Sequence, residues 1–197
     1  GLSRNASQVF SAPAGQDRSA DRPPRINPQS ITAAVSELSK IGKVKGYIVD
    51  VSRNELVVEG YNKVVSECGE LDILINSAGI VTSNKTFDKQ TANEIVRTIN
   101  INTIAPMFVT RAMLPGMIAR NRGHVCNITS AGGMLSNPKM SVYAASKWGA
   151  IGWSDSVRIE LQDMKSDVHF FDLARFTKAC KSGAFKQIAD SVADHEY

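Results

Sequence analysis

From residue 30 to residue 173, short apolar runs alternate with amphipathic helical stretches, and this alternation limits the possible folds more than any other feature of the chain. Ser30 is a candidate N-cap for a helix that sets Ile31, Val35 and Leu38 on one face and stops before Gly42. Lys43 to Val51 (KVKGYIVDV) reads as a strand. Asn54 then caps a helix carrying Leu56, Val57, Tyr61, Val64, Val65 and Cys68, ended by Gly69. Leu71 to Ile75 (LDILI) is a nearly unbroken apolar strand, as expected where helices cover both faces of a parallel sheet. Thr91 and Glu94 have capping-box spacing ahead of a long helix, with Pro106 predicting a kink or break, Pro115 further inside and Gly123 after it. His124 to Thr129 (HVCNIT) is a strand, Ser141 to Gln162 a helix and Asp167 to Leu173 (DVHFFDL) a further strand.

Strand–helix–strand units at this spacing predict an α/β fold: a Rossmann-like, doubly wound parallel sheet with helices on both faces and ligands at the carboxyl ends of its strands. A length of 197 residues and a hydrophobic content of 43% suit a single domain over 1–197 with a real core. Residues 1–29 stand apart, because they hold Pro13, Pro23, Pro24 and Pro28 and show neither period; alone they read as a disordered arm.

Charge and cysteine usage exclude several classes. Lys+Arg 23 against Asp+Glu 19 gives +4, which permits a nucleic-acid role without demanding one; a basic N-terminal arm offers a weak reading of that kind, but few aromatics and no basic run of five count against it, so no nucleic-acid partner is expected. Cys68, Cys126 and Cys180 are an odd set without a CxxC pair, which argues against a disulfide scaffold or a zinc ribbon and suits a reducing, cytoplasmic setting. His124, His169 and His195 lack metal-ligand spacing, so no metal is expected. No apolar stretch approaches the roughly 18 to 20 residues that cross a bilayer, so no membrane span is expected. Trp148 and Trp153, on the helix from Ser141, read as packing or subunit-contact residues.

The residues with chemistry lie at strand ends and on one helix. Tyr143 and Lys147, four apart in Tyr143-Ala144-Ala145-Ser146-Lys147, share a helical face. An ammonium beside a phenol favours the phenolate, which suits proton transfer; the same spacing also describes an ordinary solvated face. Ser130 follows the HVCNIT strand, and Asn76-Ser77-Ala78-Gly79 follows the LDILI strand. Either loop alone is equally turn chemistry. Asn102 reads equally as a helix hydrogen-bonder and Asp50 as a strand-end turn former, and Cys126 reads as a small buried strand residue.

Taken together, Asp50-Val51, the NSAG loop, Asn102, Ser130 and YAASK resemble the short-chain dehydrogenase/reductase family in order and spacing, over residues 26 to about 165. The wording GHVCNITSAGG is also similar to the branch acting on steroids, retinoids and other lipid alcohols. The resemblance implies an oxidoreductase that uses NAD or NADP to interconvert a small-molecule carbonyl and an alcohol. It implies that Tyr143 is the general acid/base, that Ser130 hydrogen-bonds the reacting oxygen and that Lys147 binds the nicotinamide ribose and assists Tyr143. Asn102 would hold a water that links Lys147 to solvent. Asp50 and Val51 would border the adenine, and Asn76, Ala78 and Gly79 the adenosine ribose and pyrophosphate side. A homodimer or homotetramer built through residues 92–121 and 141–163 is expected with it.

Both ends depart from the family pattern. Gly1 to Gln8 (GLSRNASQ) stands where a glycine-rich phosphate turn belongs; Gly1 matches its first glycine, while Asn5 and Ser7 stand where the others belong. Arg25 occupies a position where an arginine favours the 2′-phosphate of NADP. Ala174-Arg175-Phe176-Thr177 stands where the resemblance predicts a Pro-Gly turn, and the residues after it read as only part of the substrate lid that the resemblance implies. These departures motivate an alternative, a non-catalytic nucleotide-binding or scaffold protein of the same family.

Overall fold

The structure, a computed structural model, describes residues 28–134 and 138–172. Three parallel strands, β1 (Ile73–Asn76), β2 (Gly123–Asn127) and β3 (Val168–Asp172), lie in the order β1-β2-β3. Ile75 pairs with Cys126 and Cys126 with Phe171, so the three carboxyl ends fall side by side. The helices are α1 (Pro28–Leu38), α2 (Asn54–Cys68), α3 (Ala92–Ile99), α4 (Ala105–Ala119) and α5 (Ser141–Asp163). Parallel neighbours need long crossovers, and here the crossovers are the α3–α4 segment and α5.

One face of the sheet carries Leu74, Val125 and Phe170, packed with Val57 and Val64 of α2, Val109, Met113 and Met117 of α4 and Leu161 of α5. Burying each such side chain stabilises the fold by about 1.5–3 kcal/mol. Trp153 meets Phe170 edge-on, with ring centroids 6.3 Å apart, and so seats α5 over β3. Beyond the amino ends of the strands, Arg120 at the end of α4 donates to the Leu71 carbonyl at 2.7 Å and pairs with Glu70 at 2.8 Å. On the opposite face Ile73 and Ile75 are half exposed among the described residues.

Local signals act where they were read. Thr91 accepts the Glu94 N–H at 3.2 Å while Glu94 accepts the Thr91 N–H at 2.8 Å, the reciprocal bonds of a capping box. Pro106 has no N–H for the Asn102 carbonyl four residues back, and a π turn over Asn100–Ile104 separates α3 from α4. Gly69 takes φ +81° after α2, a conformation that costs other residues more.

Three expectations are corrected. Lys43 to Val51 is not a strand: Gly46 alone makes an isolated bridge, although Val49 and Val51 are buried. Alternation selects a buried face, but a ladder also needs an adjacent backbone, and none flanks this segment along its length among the described residues. Ser30 is not an N-cap, because α1 already begins at Pro28, whose fixed φ suits a first helical turn. Asn54 is the first helical residue of α2, and the extended Arg53 takes the cap position, its side chain donating to the Glu55 carboxylate and capping no backbone N–H. Of the arm read over 1–29, Pro28 and Gln29 open α1, while residues 1–27 and the segment from 173 onward, with Gly1, Arg25, Cys180 and His195, lie outside the described residues.

Candidate active site

β1 and β2 end on paired asparagines, and the site grows from them. Asn76 Nδ2 donates to Asn127 Oδ1 at 2.8 Å and to Thr110 Oγ1 at 3.0 Å, and Asn127 Nδ2 donates to Ser154 Oγ at 3.1 Å. All four side chains are buried, so each bond avoids the desolvation cost of an unpaired polar group. The chain of bonds ties both strand ends to α4 and α5. The loops Ser77-Ala78-Gly79 and Ile128-Thr129-Ser130 therefore leave from fixed points.

Ser130 caps the short 3₁₀ turn Ala131–Gly133, and its Oγ accepts the Gly132 N–H at 3.1 Å, leaving its own O–H to donate elsewhere. A Cβ placed on Gly132 would stand 3.2 Å from the Tyr143 ring and 3.5 Å from Ser130 Oγ, so this glycine lies between the two hydroxyl-bearing residues. A Cβ on Gly133 would come within 3.0 Å of the Lys147 backbone, which makes glycine the residue that lets the Ser130 turn dock on α5.

Lys147 follows Tyr143 by one turn of α5 and is buried. Its Nζ donates to the Ile128 carbonyl at 2.9 Å, and burial pushes its ammonium below the ordinary lysine value. Asn102, 1% exposed in the π turn, accepts the Ile80 N–H at 2.8 Å and donates to the Ile80 carbonyl at 2.9 Å and to Ser146 Oγ at 3.0 Å. A Cβ on Gly79 would lie 3.6 Å from both Asn102 Oδ1 and Lys147 Nζ, so the loop after β1 meets both residues at that glycine.

Val51, Asn76 and Ala78 line one slot together with Ala105, Pro106 and Val109. Asp50 stands apart from them: its Oδ1 accepts both the Ser52 N–H at 3.0 Å and the Ser52 hydroxyl at 2.6 Å, and it borders a separate hollow with Tyr47 and Lys63. The structure thus brings Ser130 to Tyr143 and Asn102 to Lys147, and groups Val51 with Asn76 and Ala78.

Sequence reading missed the contributors that act across elements. Ser146 and the Ile128 and Ile80 backbone groups bind the candidate side chains Asn102 and Lys147 from 19 to 44 residues away. The twin glycine after Ser130 was a visible signal for the close approach of the Ser130 turn to α5. Ser146 was visible only as one letter of the YAASK run.

A sequence model of the short chain dehydrogenase family matches residues 25–174. Estradiol 17-beta-dehydrogenase 11 of Macaca fascicularis is 34% identical over 137 residues, which are 69% of this chain and 45% of that protein. Retinol dehydrogenase 10-A of Danio rerio is 35% identical over 146 residues, 72% of this chain and 42% of that protein. The chain thus spans less than half the length of these relatives. Among solved structures, a metagenomic short-chain oxidoreductase in complex with NADP superposes with a TM-score of 0.68 at 28% identity, covering 74% of this chain and 66% of that one. In this chain the strand-end asparagines, serine turn and Tyr–Lys helix sit on a Rossmann-like α/β fold that the family model covers from residue 25 to residue 174, and the chain belongs to the short chain dehydrogenase family.

Proposed function

We propose that this chain is an NAD(P)(H)-dependent oxidoreductase that interconverts a carbonyl compound and a primary or secondary alcohol, with Tyr143 as general acid/base. One observation carries the reading: Ser130 and Tyr143 flank Gly132 at the end of β2, while Asn102 and Lys147 meet at Gly79 at the end of β1. The residues present suit a nicotinamide nucleotide. Lys147 spends one N–H on the neutral Ile128 carbonyl and has two more for the hydroxyls of a ribose. The slot formed by Val51, Asn76 and Ala78 suits the adenosine end.

A bound nicotinamide would supply or accept the hydride at the carbonyl carbon. In the reducing direction Tyr143 gives its phenolic proton to the carbonyl oxygen, and in the oxidising direction it takes the proton back. Ser130 donates its O–H to the same oxygen, held in place because its own oxygen accepts from Gly132. Lys147 stabilises the phenolate that Tyr143 leaves behind. The Asn102 side chain spends both N–H groups inside the protein, so a relay water would rest on its carbonyl, from which Pro106 withholds a helical bond.

Similarity to the estradiol and retinol enzymes supports an apolar alcohol or ketone as substrate. Cys68 and Cys126, present as thiols, fit a reducing, cytoplasmic setting, and Val96 and Trp148, both more than half exposed on α3 and α5, suit assembly as a homodimer or homotetramer. Titration with NADH and with NADPH, followed by nucleotide fluorescence, tests the reading and selects the cofactor. Saturable binding by the chain and by its Tyr143→Phe variant, with turnover lost in the variant by at least about a hundredfold, is the expected result. No binding of either nucleotide to the folded chain would favour the non-catalytic scaffold.

A further inference from the structure

Ser146 is fully buried and stands in α5 between Tyr143 and Lys147. Its hydroxyl donates to the Tyr143 carbonyl at 2.7 Å and accepts from Asn102 Nδ2 at 3.0 Å. These directions follow from what each group has to offer. The Ile80 N–H is a donor only, so Asn102 turns its Oδ1 toward it; the amide nitrogen then faces the Ile80 carbonyl and Ser146, and the Ser146 proton is left for Tyr143. Thr103, beside Asn102, donates to the Ser146 carbonyl at 2.8 Å. A continuous set of bonds therefore runs from the loop after β1, through the π turn, into the helical turn that presents Tyr143 and Lys147.

Resting on the oxidoreductase reading above, we infer that Ser146 is a positioning residue for the reaction: its hydroxyl fixes Asn102, and through Asn102 the Gly79-Ile80 loop, against the turn that carries Tyr143 and Lys147. The helix does not need this hydroxyl, because alanine is the better helix former. What alanine at 146 removes is the acceptor for one Asn102 N–H in a site without solvent, so the Asn102 amide loses its hold on Ile80. The cost falls on the register between loop and helix, not on the helix.

Hydrogen exchange on the full chain, read by NMR, tests this directly. In the unmodified protein both Asn102 side-chain N–H protons exchange slowly, and fast exchange there overturns the inference without any variant. Ser146→Ala raises the Ile80 amide exchange rate by about tenfold while Val125, central in β2, keeps its rate. Ser146→Thr retains the hydroxyl and restores Ile80 protection, and Thr103→Val, which cuts only the neighbouring bond, leaves Ile80 protected. An unmoved Ile80 rate in Ser146→Ala, a parallel rise at Val125 or an equal rise in Thr103→Val overturns the assignment. In turnover, Ser146→Ala lowers kcat by about tenfold and Ser146→Thr restores it, because the hydroxyl supplies the register between loop and helix. Full kcat in Ser146→Ala overturns the positioning role. Full turnover by Tyr143→Phe would instead sink the oxidoreductase reading while leaving the exchange results standing, so the two failures are distinct.

Discussion

Lys147 shows at the residue scale how function and stability pull apart. Its ammonium is buried against a neutral carbonyl, which disfavours the charged form in the folded chain relative to the unfolded one. The unfolded chain then holds this proton more tightly, so this residue's contribution to stability rises as pH climbs toward 10.5 and falls as pH drops. Lys147→Met should remove that dependence. Urea unfolding across a pH series should show the variant's stability relative to the parent greatest near neutral pH and shrinking toward 10.5, with turnover lost throughout. A pH-independent difference would contradict the burial cost. The candidate catalytic residues were legible because tyrosine, lysine, serine and asparagine have few reasons to recur together at these spacings. The role of the Ser146 hydroxyl was not, since Asn102 lies on another element.

Among the elements, α3 shows a signal that is wholly local. Its capping box needs only residues three apart, and the structure forms it with Glu94 buried and paired with Lys85 at 2.9 Å. The Thr91 N–H first, and Lys85 second, hold the Glu94 carboxyl below the ordinary carboxylate value of 4.5. A carboxylate so favoured adds stability above 4.5 and loses it as pH falls through its lowered folded value. Glu94→Gln should cost about 1–2 kcal/mol at neutral pH by chemical denaturation, and the difference from the parent should close in acid, below that lowered value. The break at Pro106 is equally local, since a missing N–H is a property of the residue itself. The segment 43–51 is the opposite case: its alternation of apolar residues buried Val49 and Val51, yet no ladder formed along it.

For the molecule as a whole, the exposed apolar side chains of α3 and α5 bear on assembly. Val96 is 56% and Trp148 54% exposed, while Trp153 on the same helix is packed on Phe170. If the chain assembles through these helices, Trp148→Glu should shift it toward the monomer in sedimentation velocity without changing thermal unfolding of the isolated subunit by more than a few degrees. A parent chain that is already monomeric would remove the assembly proposal. The sequence by itself determined the alternation of helices and strands from residue 54 onward, the capping box, the break before α4 and the choice of Asn102, Ser130, Tyr143 and Lys147 as candidates. These depend on periodicity, on backbone chemistry and on residue types a few positions apart. Tertiary structure alone decided that segment 43–51 forms no ladder among the described residues and that Asn76 is tied to Asn127. It also decided that Ser146 joins Asn102 to the turn bearing Tyr143. A hydrogen bond between residues 44 positions apart is fixed by how helices pack on the sheet, and no local pattern encodes that distance.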